Sequence, residues 1–321
     1  MRVPRTRGES QRTRRGSFFA PKPALTYTEQ AELLAKRGLD FGGCSSTEVE
    51  RALSDVNYYR LRGYWLTLEK DGRFIPGTTF QDIVDIYDFD HGFRVTTVSL
   101  CEYIEIKFRT VFAYRFSHAI GPDILYRPEV FLNRKRYERS RNEFKSEVKR
   151  GLAARVPCVE HNIEKYGMLP IWAATEILSF GAISKLYGNL CDKSLRSEIA
   201  SDFNTTPYYL KSWIEHLAYI RNVCAHYNRL YNRQMTKQPR LYKKDQDRFG
   251  NQRNFATFVV LAYIFQNMSH TPFKKALSDL SNLMEYYPSV SKRPMRFPND
   301  WEKILREIVS RSHSESTIQV G

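Results

Sequence analysis

Pro207-Tyr-Tyr-Leu210-Lys-Ser-Trp213-Ile-Glu-His-Leu217-Ala-Tyr-Ile220-Arg-Asn-Val-Cys224-Ala-His226 reads as one helix with two stripes. Leu210, Trp213, Leu217, Ile220 and Cys224 recur at spacings of three and four, which gathers them on one apolar face. Pro207 suits a first helical turn, where its missing N–H costs nothing, and Thr205 or Thr206 can cap that turn. Glu215, Tyr219, Asn222 and His226 recur at four, three and four on the other side. Arg221 lies between the stripes. At 100° per residue, Arg221 and His226 stand roughly 140° apart around the axis. They converge only if the arginine curls round, if the helix loosens near His226, or if a second copy supplies the partner group.

An arginine, an amide and a histidine at one helix end can cut RNA without metal. Histidine titrates near neutral pH and moves protons in both directions. Arginine stays charged and grips phosphate in two-point geometry. The RNA 2′-hydroxyl supplies the nucleophile, so only proton transfer and electrostatic stabilisation remain. Asn222, one turn before His226, can orient the imidazole or bind phosphate. The plainer alternative pairs Arg221 with a carboxylate such as Glu215 and leaves His226 as a helix-end residue favoured by the dipole.

Outward from this helix, the chain reads as all-α. A helix is expected from Thr28 to about Arg37. Ser45-Ser-Thr-Glu48 forms a capping box that opens a second, through Val56. Tyr59 and Trp65 are expected in the core, and Asp71-Gly72 marks a small hairpin between Leu66 and Phe74. Thr79 through Ile120 keeps helical spacing, with a break at Gly92. Glu102, Glu105, Lys107 and Arg109 line its polar side, with intrahelical pairing of the Glu105–Arg109 type expected; Glu102 or Arg109 can also face the Arg221 site. Arg134 to Arg150 is a strongly basic helix. Pro170 opens a helix with Trp172 as core and Glu176 as a buried partner for a cation, ended by Gly181. Phe255–Met268 and Phe273–Tyr287 are core helices, and a last one runs from Asn299 to Val309.

The 321 residues carry a net charge of +15, with 42% hydrophobic residues. Such a charge points to nucleic acid or an anionic surface. No run of eighteen apolar residues offers a membrane span, and the arginine-rich start lacks the apolar segment of a secretory signal. Five cysteines without metal-ligand spacing fit a reducing cytoplasm, with Cys101, Cys191 and Cys224 read as core. No Gly-rich phosphate loop, zinc spacing or nucleophile elbow is present, so no metal or cofactor is expected. Residues 1–22, with seven cations against Glu9, read as a disordered basic arm suited to phosphate contact. The RNA-contacting residues are expected to be Arg229, Arg233, Tyr231, Lys243 and Lys244 in the basic, aromatic segment after His226, together with Arg136 and Arg139.

Three stretches resemble the signature of the abortive-infection (Abi) family of bacterial phage-defence proteins: Asn57-Tyr-Tyr-Arg-Leu-Arg-Gly-Tyr-Trp65, Leu169-Pro-Ile-Trp-Ala-Ala-Thr-Glu-Ile-Leu-Ser-Phe-Gly181, and Arg221-Asn-Val-Cys-Ala-His-Tyr-Asn-Arg-Leu-Tyr-Asn-Arg233. They stand in the family's order. That family is similar to HEPN-domain proteins, which are helical bundles, usually dimeric, that use an Arg-polar-x3-His motif for RNA cleavage. The resemblance implies an HEPN-like helical bundle (79–290), an N-terminal helical extension (23–78) and a C-terminal helix and tail (291–321). It gives Arg221, Asn222 and His226 the catalytic roles, and it implies a homodimer holding RNA. The alternative is a non-catalytic protein gripping a structured non-coding RNA. Tyr227 and Tyr231 stand where the family pattern has a histidine and a tryptophan, and read as RNA-contact or packing positions.

Overall fold

A computed structural model describes residues 23–311; the expected basic arm (1–22) and most of the expected tail lie outside the described residues. Fourteen α-helices, four single-turn 3-10 helices and one two-residue-per-strand hairpin are the regular elements of the described residues, so the fold is all-α. It divides into two compact units. Among the described residues, the first comprises 23–62 and 66–81, the second 63–65 and 82–311.

In the first unit, α1 (Tyr27–Lys36) packs on α2 (Ser46–Asp55). Both open with capping boxes. Thr26 and Glu29 exchange bonds with each other's backbone, as do Ser45 and Glu48, so two otherwise orphaned donors are satisfied at each start. A short α3 (Tyr58–Arg62) follows, then the hairpin of β1 (Glu69–Lys70) and β2 (Arg73–Phe74), turned by Asp71-Gly72, both at positive φ. Arg37 ties α1 to this hairpin by pairing with Glu69 and donating to the Gly72 carbonyl at 2.8 Å. Tyr59, expected in the core, is 79% exposed: Leu61 takes the buried face of this one-and-a-half-turn helix.

The second unit is threaded by α4 (Phe80–Ala119), about 60 Å long, of which all but the first two residues belong here. No break occurs at Gly92. The glycine is a packing notch: a Cβ there would stand 2.7 Å from Leu283 Cδ1. Then follow α5 (Arg134–Ala153), α6 (Pro157–Tyr166), α7 (Ile171–Ile177), α8 (Phe180–Gly188) and α9 (Lys193–Ser201). The chain continues through α10 (Pro207–Ala225), α11 (Lys243–Phe249), α12 (Asn254–Phe265), α13 (His270–Tyr286) and α14 (Trp301–Ser310).

Every residue of α12 is buried, and it packs against α10, α13 and α14, so the C-terminal helix belongs to this unit. Aromatic rings of α4 knit the core: Phe93 stacks on Phe258 of α12, and Phe108 meets Phe180 and Tyr187 of α8 and Phe203.

Three local expectations change. Gly181 lies inside α8; the chain breaks earlier, at Ser179, whose hydroxyl caps the Ala182 N–H at 3.1 Å. Trp172 is half exposed and Glu176 is exposed, because Ile171, Ala174 and Thr175 form the buried face of α7. Cys191 is exposed, whereas Cys101 and Cys224 are buried. No described helix is long and apolar enough to cross a membrane.

Candidate functional site

The apolar stripe of α10 is buried throughout, from Leu210 to Cys224, which fixes the helix's rotation and leaves Arg221 and Asn222 toward solvent. Arg221 Nη1 donates to Asn222 Oδ1 at 3.3 Å, and its Nε stands 3.2 Å from Glu105 Oε2 on α4. The carboxylate partner is thus Glu105, not Glu215. Glu105 is shared, since Arg109 also binds it while donating to the Thr175 carbonyl of α7. Glu102, Glu105 and Arg109 of α4 meet Arg221 and Ala225 of α10 around a cleft of about 360 Å³, whose apolar wall is Val98 and Ile106. Both Glu102 and Arg109 therefore face the Arg221 site.

His226 is exposed and lies past the regular helix. It is the C-cap, with its N–H on the Asn222 carbonyl at 3.0 Å. The helix ends in a Schellman motif: Tyr227 donates to Cys224 and Asn228 to Val223. The left-handed residue this motif needs is Tyr227, at φ 56°, where glycine is usual. A bulky side chain held there, next to the motif histidine and 68% exposed, is backbone strain of the kind that collects at functional sites. No hydrogen bond joins Arg221 to His226 among the described residues.

The segment beyond is pinned from α4. Fully buried Asp90 accepts from the Tyr231 N–H at 2.6 Å, the Leu230 N–H at 3.0 Å and the Tyr64 hydroxyl at 2.8 Å, and it pairs with Arg94. Burial drives the Asp90 carboxyl upward, against the pull of Arg94 and these bonds. Burial, then the nearby Asp90 charge, push the Cys224 thiol up to about 12, so it is no nucleophile.

Other expected contacts divide. Tyr231 is buried, its hydroxyl donating to the Ser291 carbonyl at 3.0 Å, so it is a packing residue and not a surface contact. Arg229 is half buried, and burial lowers its pKa. Arg233 is spent on the Tyr219 hydroxyl and the Arg229 carbonyl, both at 2.8 Å. Lys243 and Lys244 are exposed on α11. Arg136 and Arg139 are exposed on α5 and line a separate cleft. Among the described residues, no three His, Cys, Asp or Glu side chains gather as a metal site.

The three sequence motifs therefore meet on one helix. Tyr64 and the Leu230–Tyr231 backbone converge on Asp90, and Thr175 and Arg221 are joined through Arg109 and Glu105. A family model described as Abi-like protein matches residues 51–232, more than half of the chain. The chain belongs to this Abi-like family. No curated protein and no solved structure shows a significant match. The family match ends at Asn232, just beyond the segment that Asp90 holds, so it takes in the first motif from Asn57, the central motif and all but the last residue of the third.

One residue that sequence reasoning passed over is His216, fully buried beside Trp213 and Leu217. One ring nitrogen bonds the Lys237 carbonyl and the other the Thr257 hydroxyl at 2.9 Å. Nδ1 must therefore carry the proton and Nε2 accept. Burial lowers its pKa to about 4, so at neutral pH it is an uncharged strut under the loop that follows α10. Its spacing of three from Trp213 and four from Ile220 places it on the apolar face, which is the signal that could have found it.

Proposed function

We propose that this Abi-like protein serves bacterial abortive infection as an RNA-binding, metal-independent endoribonuclease, with Arg221, Asn222 and His226 as its working residues. The observation that carries the reading is a charged arginine lining a polar cleft, with an amide and an exposed histidine within one turn and a half of it on the same helix end. In this reading His226 moves the proton of the attacking 2′-hydroxyl, and Arg221 neutralises charge on the phosphate. The net charge of +15 supports a polyanionic substrate.

Two copies would act together. Val95 and Ile106 of α4 are each more than half exposed, and Ile106 lines the cleft beside Arg221. A second copy covering this strip would bring a second motif to the first.

The Arg221–Glu105 pair favours one further reading, in which the motif grips a structured RNA without cutting it, since the arginine already has a carboxylate. Labelled total RNA incubated with purified protein in EDTA separates the two. Cleavage leaving 2′,3′-cyclic phosphate ends, absent in Arg221→Ala/His226→Ala, is the expected result. RNA retained intact by both proteins would put the non-catalytic reading first.

A further inference from the structure

A second cleft, of about 510 Å³, lies where α5, α8 and α10 meet the loop after α10. Arg136 and Arg139 enter it from α5, Lys185 from α8, Lys211 from α10 and Lys237 from the loop. Two carboxylates oppose these five cations: Glu143 and Glu215. Glu143 is already engaged by Lys185 and the Ser179 hydroxyl, both at 3.4 Å. The other glutamates of α5 are taken as well, Glu138 by Arg134 and Glu147 by Arg150. Arg136, Arg139, Lys211 and Lys237 thus share a concavity with no ion-pair partner among the described residues.

The cleft is built, not merely charged. Gly188 on α8 leaves room for the Lys211 stem; a Cβ there would stand 3.1 Å from Lys211 Cε. The backbone of Lys237 is anchored by the buried His216 ring. Four such cations facing one unengaged carboxylate, Glu215, leave an excess of positive charge that is costly unless a polyanion or counterions neutralise it.

We infer that this cleft is an anchoring site for the phosphate backbone of a single RNA strand that runs along α10 to the Arg221 cleft. This rests on the RNA-binding reading above. Lys211 and Arg221 are ten residues apart on one helix, about 15 Å along its axis. At about 3.4 Å of rise per stacked nucleotide, that is a span of four to five nucleotides. The anchor lacks aromatic rings at its walls, so it reads phosphates and not bases.

The test measures binding of a fluorescent single-stranded RNA of about 20 nucleotides over a range of salt concentrations, in the Arg221→Ala/His226→Ala background so that the strand stays whole. Adding Arg136→Ala, Arg139→Ala and Lys211→Ala should weaken binding about tenfold or more. It should also flatten the slope of log K against log salt by about 2, the loss of three single-strand phosphate contacts. Single-stranded DNA of the same sequence should lose as much. The charge-preserving Arg136→Lys, Arg139→Lys and Lys211→Arg changes should retain affinity, which separates lost charge from a damaged fold. Affinity and slope unchanged in the alanine variant, with the parent still binding RNA, overturn the anchor and leave the RNA reading standing. A loss confined to RNA overturns the backbone assignment. Wild-type protein that binds no RNA removes the RNA-binding reading itself.

Discussion

Glu105 Oε2 of α4 stands 3.2 Å from Arg221 Nε of α10, and Arg109 binds the same carboxylate from the other side. The two arginines are unequal partners. Arg109 is largely buried and also bonds the Thr175 carbonyl, whereas the Arg221 side chain is 37% exposed and screened by water. Arg109→Ala should therefore cost about 2 kcal/mol and lower Tm by about 4–8 °C. Arg221→Ala should cost no more than about 1 kcal/mol and, on the nuclease reading, abolish RNA cleavage. Thermal unfolding of the two variants side by side checks the ranking; an Arg221→Ala protein as unstable as Arg109→Ala would make the motif arginine a structural residue.

Asp90→Asn should be among the most damaging single changes in the second unit. The carboxylate accepts two backbone N–H groups and a tyrosine hydroxyl, and it is the partner of the nearly buried Arg94. Removing it strands a buried cation, a loss of about 3–5 kcal/mol. Tyr64→Phe takes away one of these bonds and should cost about 1 kcal/mol. Urea midpoints at constant m-value give both numbers; equal losses in the two variants would mean that Asp90 does not hold the Leu230–Tyr231 backbone.

Stability should fall as pH drops from about 6.5 to about 4, and His216 gives the sign. Its folded pKa is depressed to about 4, while the unfolded chain keeps the ordinary value near 6.5. Between those values the unfolded state binds the extra proton, so the histidine's contribution is complete above 6.5 and lost by 4. The shift is worth about 3 kcal/mol. Chemical denaturation at pH 7 and pH 4.5, in the wild type and in His216→Gln, reads it. The difference between the two pH values should shrink in the variant; an equal pH dependence in both proteins would assign the loss to other groups.

What the sequence disclosed follows from how local each signal is. The stripe of α10, the capping box at Ser45 and the hairpin at Asp71-Gly72 rest on neighbours a few residues apart, and all are present. The Glu105–Arg109 pair was legible for the same reason. The partners that give the motifs meaning are remote. Glu105 is 116 residues before Arg221, and Asp90 is 141 before Tyr231. No periodicity reports such contacts. Gly92 looks like a break until Leu283 is found filling the missing Cβ's place. Tyr231 among arginines has the composition of a base-stacking segment, and its burial became visible only with Asp90 beneath its backbone. Cationic excess on α5 was legible, but not that its glutamates are all engaged, which is what leaves Arg136 and Arg139 unpartnered.

Tyr227 separates stability from function most directly. Its φ of 56° closes the Schellman motif of α10, a conformation costing a non-glycine residue about 1 kcal/mol. Glycine adopts it without that cost but loses more chain entropy on folding. Tyr227→Gly removes that backbone cost and retains the helix end and the Asn228–Val223 bond, so its change in Tm reads what the ring itself contributes to the fold. If the ring is kept there for RNA, the same variant should lose affinity for single-stranded RNA by about 1–3 kcal/mol, the worth of one base stacked on an aromatic side chain. Tyr227→Phe should keep that affinity, because the face of the ring and not its hydroxyl does the stacking. A glycine variant that loses several degrees of Tm and binds RNA normally would mean that the tyrosine is held for packing, and would remove it from the candidate site.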